Sequence, residues 1–387
     1  MSGIIRLTLR YIAFNKLKSI ILLACLTITI FLPLALHHLI LHYEDELGQR
    51  ARLTPLLVGA KGDRFDLVLA SLYFKGRAPE AITAHDLDDL RAYGRAEVIP
   101  LLLGHSAREK PVVGTTIDYF RLRGLGAASG TLPLKLGDAV LGAAAAEELQ
   151  LATGDSLLSD EASLINLAGA YPLKMPVVGV LARAGTPDDH AVFVDLKTAW
   201  VIAGIGHGHT DLADPEQSGY VSERSEEGIT ANPAVVTYNE ITAENIGSFH
   251  FHSTRSELPV TSIIAAPRSE KDRTLISGRY SVAETTQLLV PEDVIAELMG
   301  IVFQLKRFFD ASFLLVLVTT GLFVALVILL SLRIRKAERS TMFHIGCDRL
   351  TIFWIQVAEL VTLTVLAAAL AWALSHLAIA MASRLLA

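Results

Sequence analysis

The sequence predicts an α-helical membrane protein with three transmembrane helices and a large extracytoplasmic α+β domain inserted between helices 1 and 2. Three observations predict it. Uninterrupted apolar runs cover 20–41, 311–332 and 350–383, each at or beyond the roughly 20 residues a helix needs to cross a bilayer. Between the first and second runs, about 270 residues read as an ordinary globular chain. The charges also separate. Residues 1–42 carry Arg6, Arg10, Lys16 and Lys18 and no acid, residues 309–387 are net +2, and the total of −6 leaves about −12 for 43–308.

The basic clusters fix the orientation. They precede the first span and fill the loop between the second and third, where Arg333, Arg335, Lys336, Arg339 and Arg349 lie. Positive loops stay in the cytoplasm. The N-terminus is therefore inside, 43–308 outside, the 333–349 loop inside and a short C-terminal tail outside. In order, the parts are a cytoplasmic amphipathic segment (1–18), helix 1 (19–42), the extracytoplasmic domain (43–308), helix 2 (309–333), a cytoplasmic loop (334–349) and helix 3 (350–383). The expected location is the plasma (inner) membrane, with the large domain on the periplasmic or extracellular side. No small-x-small cleavage site follows the first run, so it reads as an uncleaved helix. The two cysteines, Cys25 and Cys347, lie outside the large domain. That domain must fold on its apolar core alone, for which it is long enough.

Residues 4–18 carry Ile4, Ile5, Leu7, Tyr11 and Ile12 against Arg6 and Arg10 at i,i+4, which predicts an interfacial helix. Pro33 removes one helical hydrogen bond inside the first span, and His37 and His38 sit near its outer end. In the large domain, 55–58 predicts a strand and 65–74 a helix with Phe65, Leu69 and Leu72 on one side. Thr83 can cap a helix from Ala84, with Asp86 in the first turn. Strands are predicted at 98–103, 111–117, 139–141, 175–181 and 191–194, and helices at 143–151 and 196–202. Residues 204–234 are rich in Gly, Ser and acid without a period and predict a loop. Strands return at 233–238 and 258–265. A helix over 292–309 runs into the second span.

The N-terminal Asn15-Lys16-Leu17-Lys18-Ser19 precedes an apolar run. Val140-Leu141-Gly142, the helix after it, Thr153-Gly154-Asp155-Ser156, Pro176-Val177-Val178-Gly179-Val180-Leu181 and Ala191-Val192-Phe193-Val194-Asp195 follow in order. Then come Arg335-Lys336-Ala337-Glu338-Arg339, His344-Ile345-Gly346-Cys347 and Glu359. This succession resembles the FtsX-like permease family, the group that includes the MacB and LolC/LolE types. The resemblance covers both membrane ends and about half of the large domain. Members have four spans and this chain shows three, so either it is a shortened member or another subunit supplies the fourth.

The resemblance implies a permease subunit of an ATP-binding cassette (ABC) transporter. A separate ATPase would pull on the inner loop, and the long helices would pass the movement to the outer domain. The expected partners are an ABC ATPase subunit, a second copy or a related permease in a homodimer or heterodimer, a periplasmic adaptor or lipoprotein, and the lipid bilayer. No nucleic acid is expected. The loop residues that would seat the ATPase are Arg335, Lys336 and Arg339 as polar contacts, with Met342, Phe343, His344, Ile345 and Gly346 beside them. Glu359 is a carboxylate inside the third span, where charge is costly and paired. The resemblance gives it a structural role near the inner face.

The chain shows no chemistry of its own. G-x-x-x-x-G-K-[ST] is absent, and Gly59-Ala60-Lys61-Gly62 has neither its spacing nor its hydroxyl. Gly104-His105-Ser106 lacks the G-x-S-x-G elbow. The expectation is a non-enzyme with no cofactor, and no metal ligand is assigned. Two H-x-H pairs, His207/His209 and His250/His252, with His190 and the acids of 211–227 nearby, leave a metal-binding outer domain open. On a strand, i and i+2 share a face, so His250 and His252 could chelate together. The alternative function is a membrane-anchored sensor or scaffold that binds a ligand or metal outside and transports nothing.

Overall fold

The structure, a computed structural model, describes residues 2–133, 135–161, 172–209, 221–225, 228–231, 238–251, 253–334, 340, 344 and 349–386. Along the chain, helices α1 (Ser2–Phe14) and α2 (Lys16–Arg52) lead to β1 (Leu56–Ala60), α3 (Arg64–Tyr73), β2 (Ile82–Thr83), α4 (Ala84–Tyr93), β3 (Ala96–Ala107) and β4 (Lys110–Thr115). Next come α5 (Ile117–Arg123), β5 (Ala127–Gly130), β6 (Ala139–Leu141), α6 (Ala143–Leu149), β7 (Ser156–Leu158), β8 (Lys174–Leu181), β9 (Val192–Asp195) and α7 (Leu196–Ile202). Short strands β10 (Gly206–Gly208), β11 (Val221–Ser225), β12 (Gly228–Ala231), β13 (Phe249–Phe251) and β14 (Pro259–Val260) precede β15 (Ser262–Pro267), α8 (Glu270–Tyr280) and β16 (Thr286–Leu289). Two long helices, α9 (Pro291–Ile334) and α10 (Arg349–Leu386), complete the order.

The chain divides into two units, Gly48–Ala296 and a helical unit made of Met1–Leu47 with Glu297–Ala387. In the helical unit, three helices among the described residues are long and apolar enough to cross a membrane: Lys16–Arg52, Pro291–Leu330 and Phe353–Met381. They meet through Leu22, Val324 and Leu363, which are buried together with Leu26, Val327 and Leu360 around them. Helix α1 packs against α10. Polar links also join the helices. Thr29 Oγ1 donates to the Cys25 carbonyl at 2.8 Å, so in its 3.1 Å contact with Thr320 Oγ1 it is the acceptor. Likewise Ser375 Oγ donates to the Trp372 carbonyl at 2.8 Å and accepts from His38 Nδ1 at 3.3 Å.

The Gly48–Ala296 unit is built on a ten-stranded mixed sheet in the order β16-β1-β15-β3-β4-β9-β6-β8-β5, with β7 also paired to β8. The β4–β9 and β6–β8 pairs are parallel, and the remaining pairs are antiparallel. Alternation puts Leu56, Val58, Val112, Leu141, Val192, Val194, Ile263 and Ala265 into one buried cluster, over which α4 and α7 place Leu87, Leu90, Ala199 and Trp200. Cap chemistry fixes the helix starts. Asp63 accepts from the Phe65 and Asp66 amides at 2.7 and 3.1 Å. Thr83 donates its amide and hydroxyl to Asp86 at 3.0 and 2.9 Å.

Several sequence expectations are corrected. Ile117 starts helix α5 rather than ending a strand, because Thr116 turns the chain and Asp118 favours a first helical turn. The helix at 143 stops at Leu149, with Gln150 in the left-handed region at φ 56°. The expected strand 258–265 is two strands. The break falls at Thr261, whose amide bonds the Leu101 carbonyl at 2.9 Å while its hydroxyl accepts from the Leu103 amide. The patternless 204–234 contains three strands, β10, β11 and β12, each too short to show a period. Of the strand expected at 233–238, only Tyr238 is described, and it lies outside any strand.

Candidate functional site

Of the loop residues expected to seat an ATPase, Arg335, Lys336, Arg339, Met342, Phe343, Ile345 and Gly346 lie outside the described residues. His344 is described as helical and exposed. Glu359 is described fully. It is 7% exposed on α10, and its carboxylate lies 3.2 Å from Lys18 Nζ on α2. The lysine side chain, one-quarter exposed, reaches from the basic flank of the first apolar run, so the pair ties the N-terminal part of α2 to α10. That arrangement meets the cost of a carboxylate within a span by pairing it.

The first helix ends in a second, better-enclosed ion pair. Arg50, in the last turn of α2, is buried within the Gly48–Ala296 unit. Its Nη1 and Nη2 bond both oxygens of Asp188 at 2.5 and 2.9 Å, and its Nε donates to the Leu72 carbonyl. Nη2 also donates to the Tyr119 hydroxyl at 2.9 Å, which in turn donates to Asp188 at 2.6 Å. Thr186 Oγ1 completes the carboxylate's shell at 2.9 Å. The Phe74 ring lies 5.5 Å from the guanidinium. Burial opposes ionisation of Asp188, but the hydrogen bond and charge of Arg50 win and hold its carboxyl below the usual range. For Arg50 burial again opposes the charge, and Tyr119 and Asp188 together raise it above its ordinary value. Tyr119 itself is pushed up to about 12, first by burial and then by the Asp188 charge. The turn that presents Asp188 sits against Gly142, where a Cβ would stand 2.2 Å from the Asp188 carbonyl oxygen. Sequence reasoning missed this node. Its partners are 138 and 69 residues apart, and no local pattern marks Arg50.

A cleft of about 620 Å³ opens on the same unit, lined by Leu87, Arg91, Asp195, Lys197, Trp200, Phe251 and Arg255 among others. Its size suits a small organic ligand or a peptide side chain. Asp195 caps α7 by accepting from the Lys197 amide at 2.8 Å, and burial pushes its carboxyl up. Trp200 donates its indole N–H to the Pro259 carbonyl at 2.8 Å and meets Phe251 edge-on at 5.9 Å. The cleft wall is thus aromatic, with cations and one carboxyl at the rim.

The histidines come together differently from the sequence pairing. Strands β10 and β13 pair antiparallel, placing His207 directly opposite His250. His209 joins them, and one nitrogen from each of the three lies within 4.8 Å of the others, all half-buried. The expected partner of His250, His252, lies outside the described residues. His190 instead lies 3.4 Å from Glu148.

No family model matches the chain, and no curated protein matches it. Among solved structures, the periplasmic region of MacB from Actinobacillus actinomycetemcomitans is similar at 11% identity and TM-score 0.36, over 64% of this chain and 95% of that one. The extracellular domain of the noncanonic ABC-type transporter YknZ from Gram-positive bacteria is similar at 13% identity and TM-score 0.32, over 61% and 99%.

Proposed function

We propose that this chain is the membrane subunit of an ABC transporter complex, non-catalytic itself, which passes the work of a partner ATPase to its outer domain. The observation that carries the reading is the order of parts. An apolar helix precedes the mixed-sheet unit, and after it one unbroken helix runs from Pro291 to Ile334 through the second apolar run. The basic segment 333–349 follows. A continuous helix is the stiffest connection a chain can make between an inner loop and an outer domain. The Arg50 node supports the reading, since it fastens the last turn of α2 to the core with four enclosed donors and acceptors. The charge asymmetry supports an outer sheet domain and an inner 333–349 loop. In this account the aromatic cleft receives part of the cargo or of an adaptor, of the lipoprotein, peptide or small hydrophobic class, and the complex works as a dimer.

The test is purification of the full-length chain from native membranes in mild detergent, with identification of what accompanies it by mass spectrometry. A stoichiometric companion carrying G-x-x-x-x-G-K-[ST] is expected. Its absence across several detergents would favour an anchored sensor or scaffold instead.

A further inference from the structure

The ribbon formed by β10 and β13 has two unlike faces, and the reason is alternation along a strand. Gly206 and Gly208 point one way. A Cβ at either would stand within 2.6 Å of the ring of Phe251 or Phe249, so glycine is what lets the two rings lie flat across the facing strand. Phe249 and Phe251 pack from there onto the main core. His207, between the glycines, must point the other way, as must His250 opposite it, and His209 lies two residues on from His207. The ring centroids are 4.9 Å apart for His207–His250, 5.0 Å for His209–His250 and 5.7 Å for His207–His209. One face is therefore apolar and anchored, and the other is imidazole.

We propose that His207, His209 and His250 form a three-imidazole site for one divalent transition-metal ion of the zinc class, which clips β10 and the residue after it to β13. Two further features point to a metal. His250 Nδ1 lies 3.0 Å from the Ser248 carbonyl. A carbonyl can only accept, so Nδ1 carries the proton and Nε2 is the ligating nitrogen. A backbone carbonyl on the other ring nitrogen is the usual way a ligand histidine is oriented. The distances also suit an ion. Tetrahedral zinc at about 2.0–2.1 Å from nitrogen needs nitrogens about 3.4 Å apart, and one nitrogen from each ring already lies within 4.8 Å of the others, so side-chain rotation alone can close them on an ion. Three neutral imidazoles select transition metals over magnesium or calcium, and they leave a fourth position for water or another donor. The ion would join histidines 43 positions apart in sequence, and a wide separation is where a metal clip gains most in loop entropy. Because Phe251 follows His250 directly and lines the aromatic cleft, the clip would also steady the cleft wall. The inference stands apart from the permease reading.

The experiment uses full-length chain in detergent, expressed without a histidine tag and stripped with a chelator, then titrated with Zn²⁺ by calorimetry and with Co²⁺ by visible absorption. Saturation at one ion per chain is expected, with the spectrum of nitrogen-ligated four-coordinate Co²⁺ and a rise in Tm with Zn²⁺ but not Mg²⁺. His207→Ala, His209→Ala and His250→Ala should each weaken Zn²⁺ binding at least about tenfold, while the exposed His85→Ala should not. The Tm shift of the unaltered chain decides the matter if a variant fails to fold. No saturable site, or a site of equal affinity in all three variants, would overturn the proposal.

Discussion

Two of the ion pairs that join distant parts of this chain are built to opposite standards. Arg50–Asp188, at the C-terminal end of α2, is bidentate, shared with Tyr119 and Thr186, and almost closed to solvent. Lys18–Glu359, at the N-terminal end of the same helix, is one contact at 3.2 Å with a lysine that is one-quarter exposed. The difference teaches where rigidity is needed. In the outer unit, water competes for every charge, so a pair lasts only if all its donors and acceptors are used. Among the apolar helices a carboxylate has few other partners, so a single lysine contact serves it. α2 is thus held by an enclosed, bidentate pair near its C-terminal end and by one contact near its N-terminal end.

The comparison breaks most readily at Arg50. Arg50→Met leaves Asp188 buried without its cation, and we expect about 3–5 kcal/mol of stability to be lost. Urea unfolding would measure it, followed by Trp200 fluorescence in a background lacking Trp354 and Trp372. Adding Asp188→Leu to Arg50→Met should recover most of the loss, because an apolar pair of similar volume carries no desolvation cost. Failure of the double variant to recover would show that the node serves packing rather than charge.

Next in size is a pH effect. Tyr119 is held protonated up to about 12 against an ordinary value of 10.0. Its contribution is therefore complete below pH 10 and is lost as pH rises toward 12, by about 2–3 kcal/mol. Asp188 has the opposite sign. Its depressed value makes its contribution complete above the ordinary 3.8 and lost as pH falls through the lower folded value. Unfolding free energy measured against pH should fall at both ends, and Tyr119→Phe should shrink the alkaline fall without abolishing it, since burial also pushes Tyr280 up to about 12.

Much of the frame was legible in the sequence because it rests on local patterns. Apolar length marked the three long helices, and a short apolar run after the Gly137-Asp138 turn signal marked β6. An acid followed by an apolar helical period marked α7 to the residue. The sites were legible only in part. The i,i+2 rule applies to His250 and His252, while His207 and His209 fall in a stretch that reads as a loop. The third histidine comes from a three-residue strand that pairs across 43 positions, and sequence spacing favoured His250 with His252 instead. The Arg50 node could not be read at all, since its acid stands in a Pro187–His190 turn far along the chain. The 44-residue α9 was legible, since the helical period over 292–309 runs without a breaker into the second apolar run.

Smaller effects sharpen the inner end. Glu359→Gln should cost about 1 kcal/mol or less in helix association, since Lys18 can extend to the interface. A chemical crosslink between cysteines placed on α2 and α10 would report any loosening. The Thr29–Thr320 contact should show a coupling of about 0.6 kcal/mol in a double-mutant cycle. A value several times larger would mean the spans are as rigidly joined as the outer node.

We propose that the basic 333–349 segment seats an ATPase, and retention of that ATPase by the purified chain is the most direct test. The wild type should be compared with a triple reversal, Arg335→Glu, Lys336→Glu and Arg339→Glu, at matched membrane levels. Opposed charges across an interface cost several kcal/mol, so the account predicts at least about a tenfold fall in ATPase retained, with insertion unchanged. Equal retention, with hydrolysis still responsive, would contradict it.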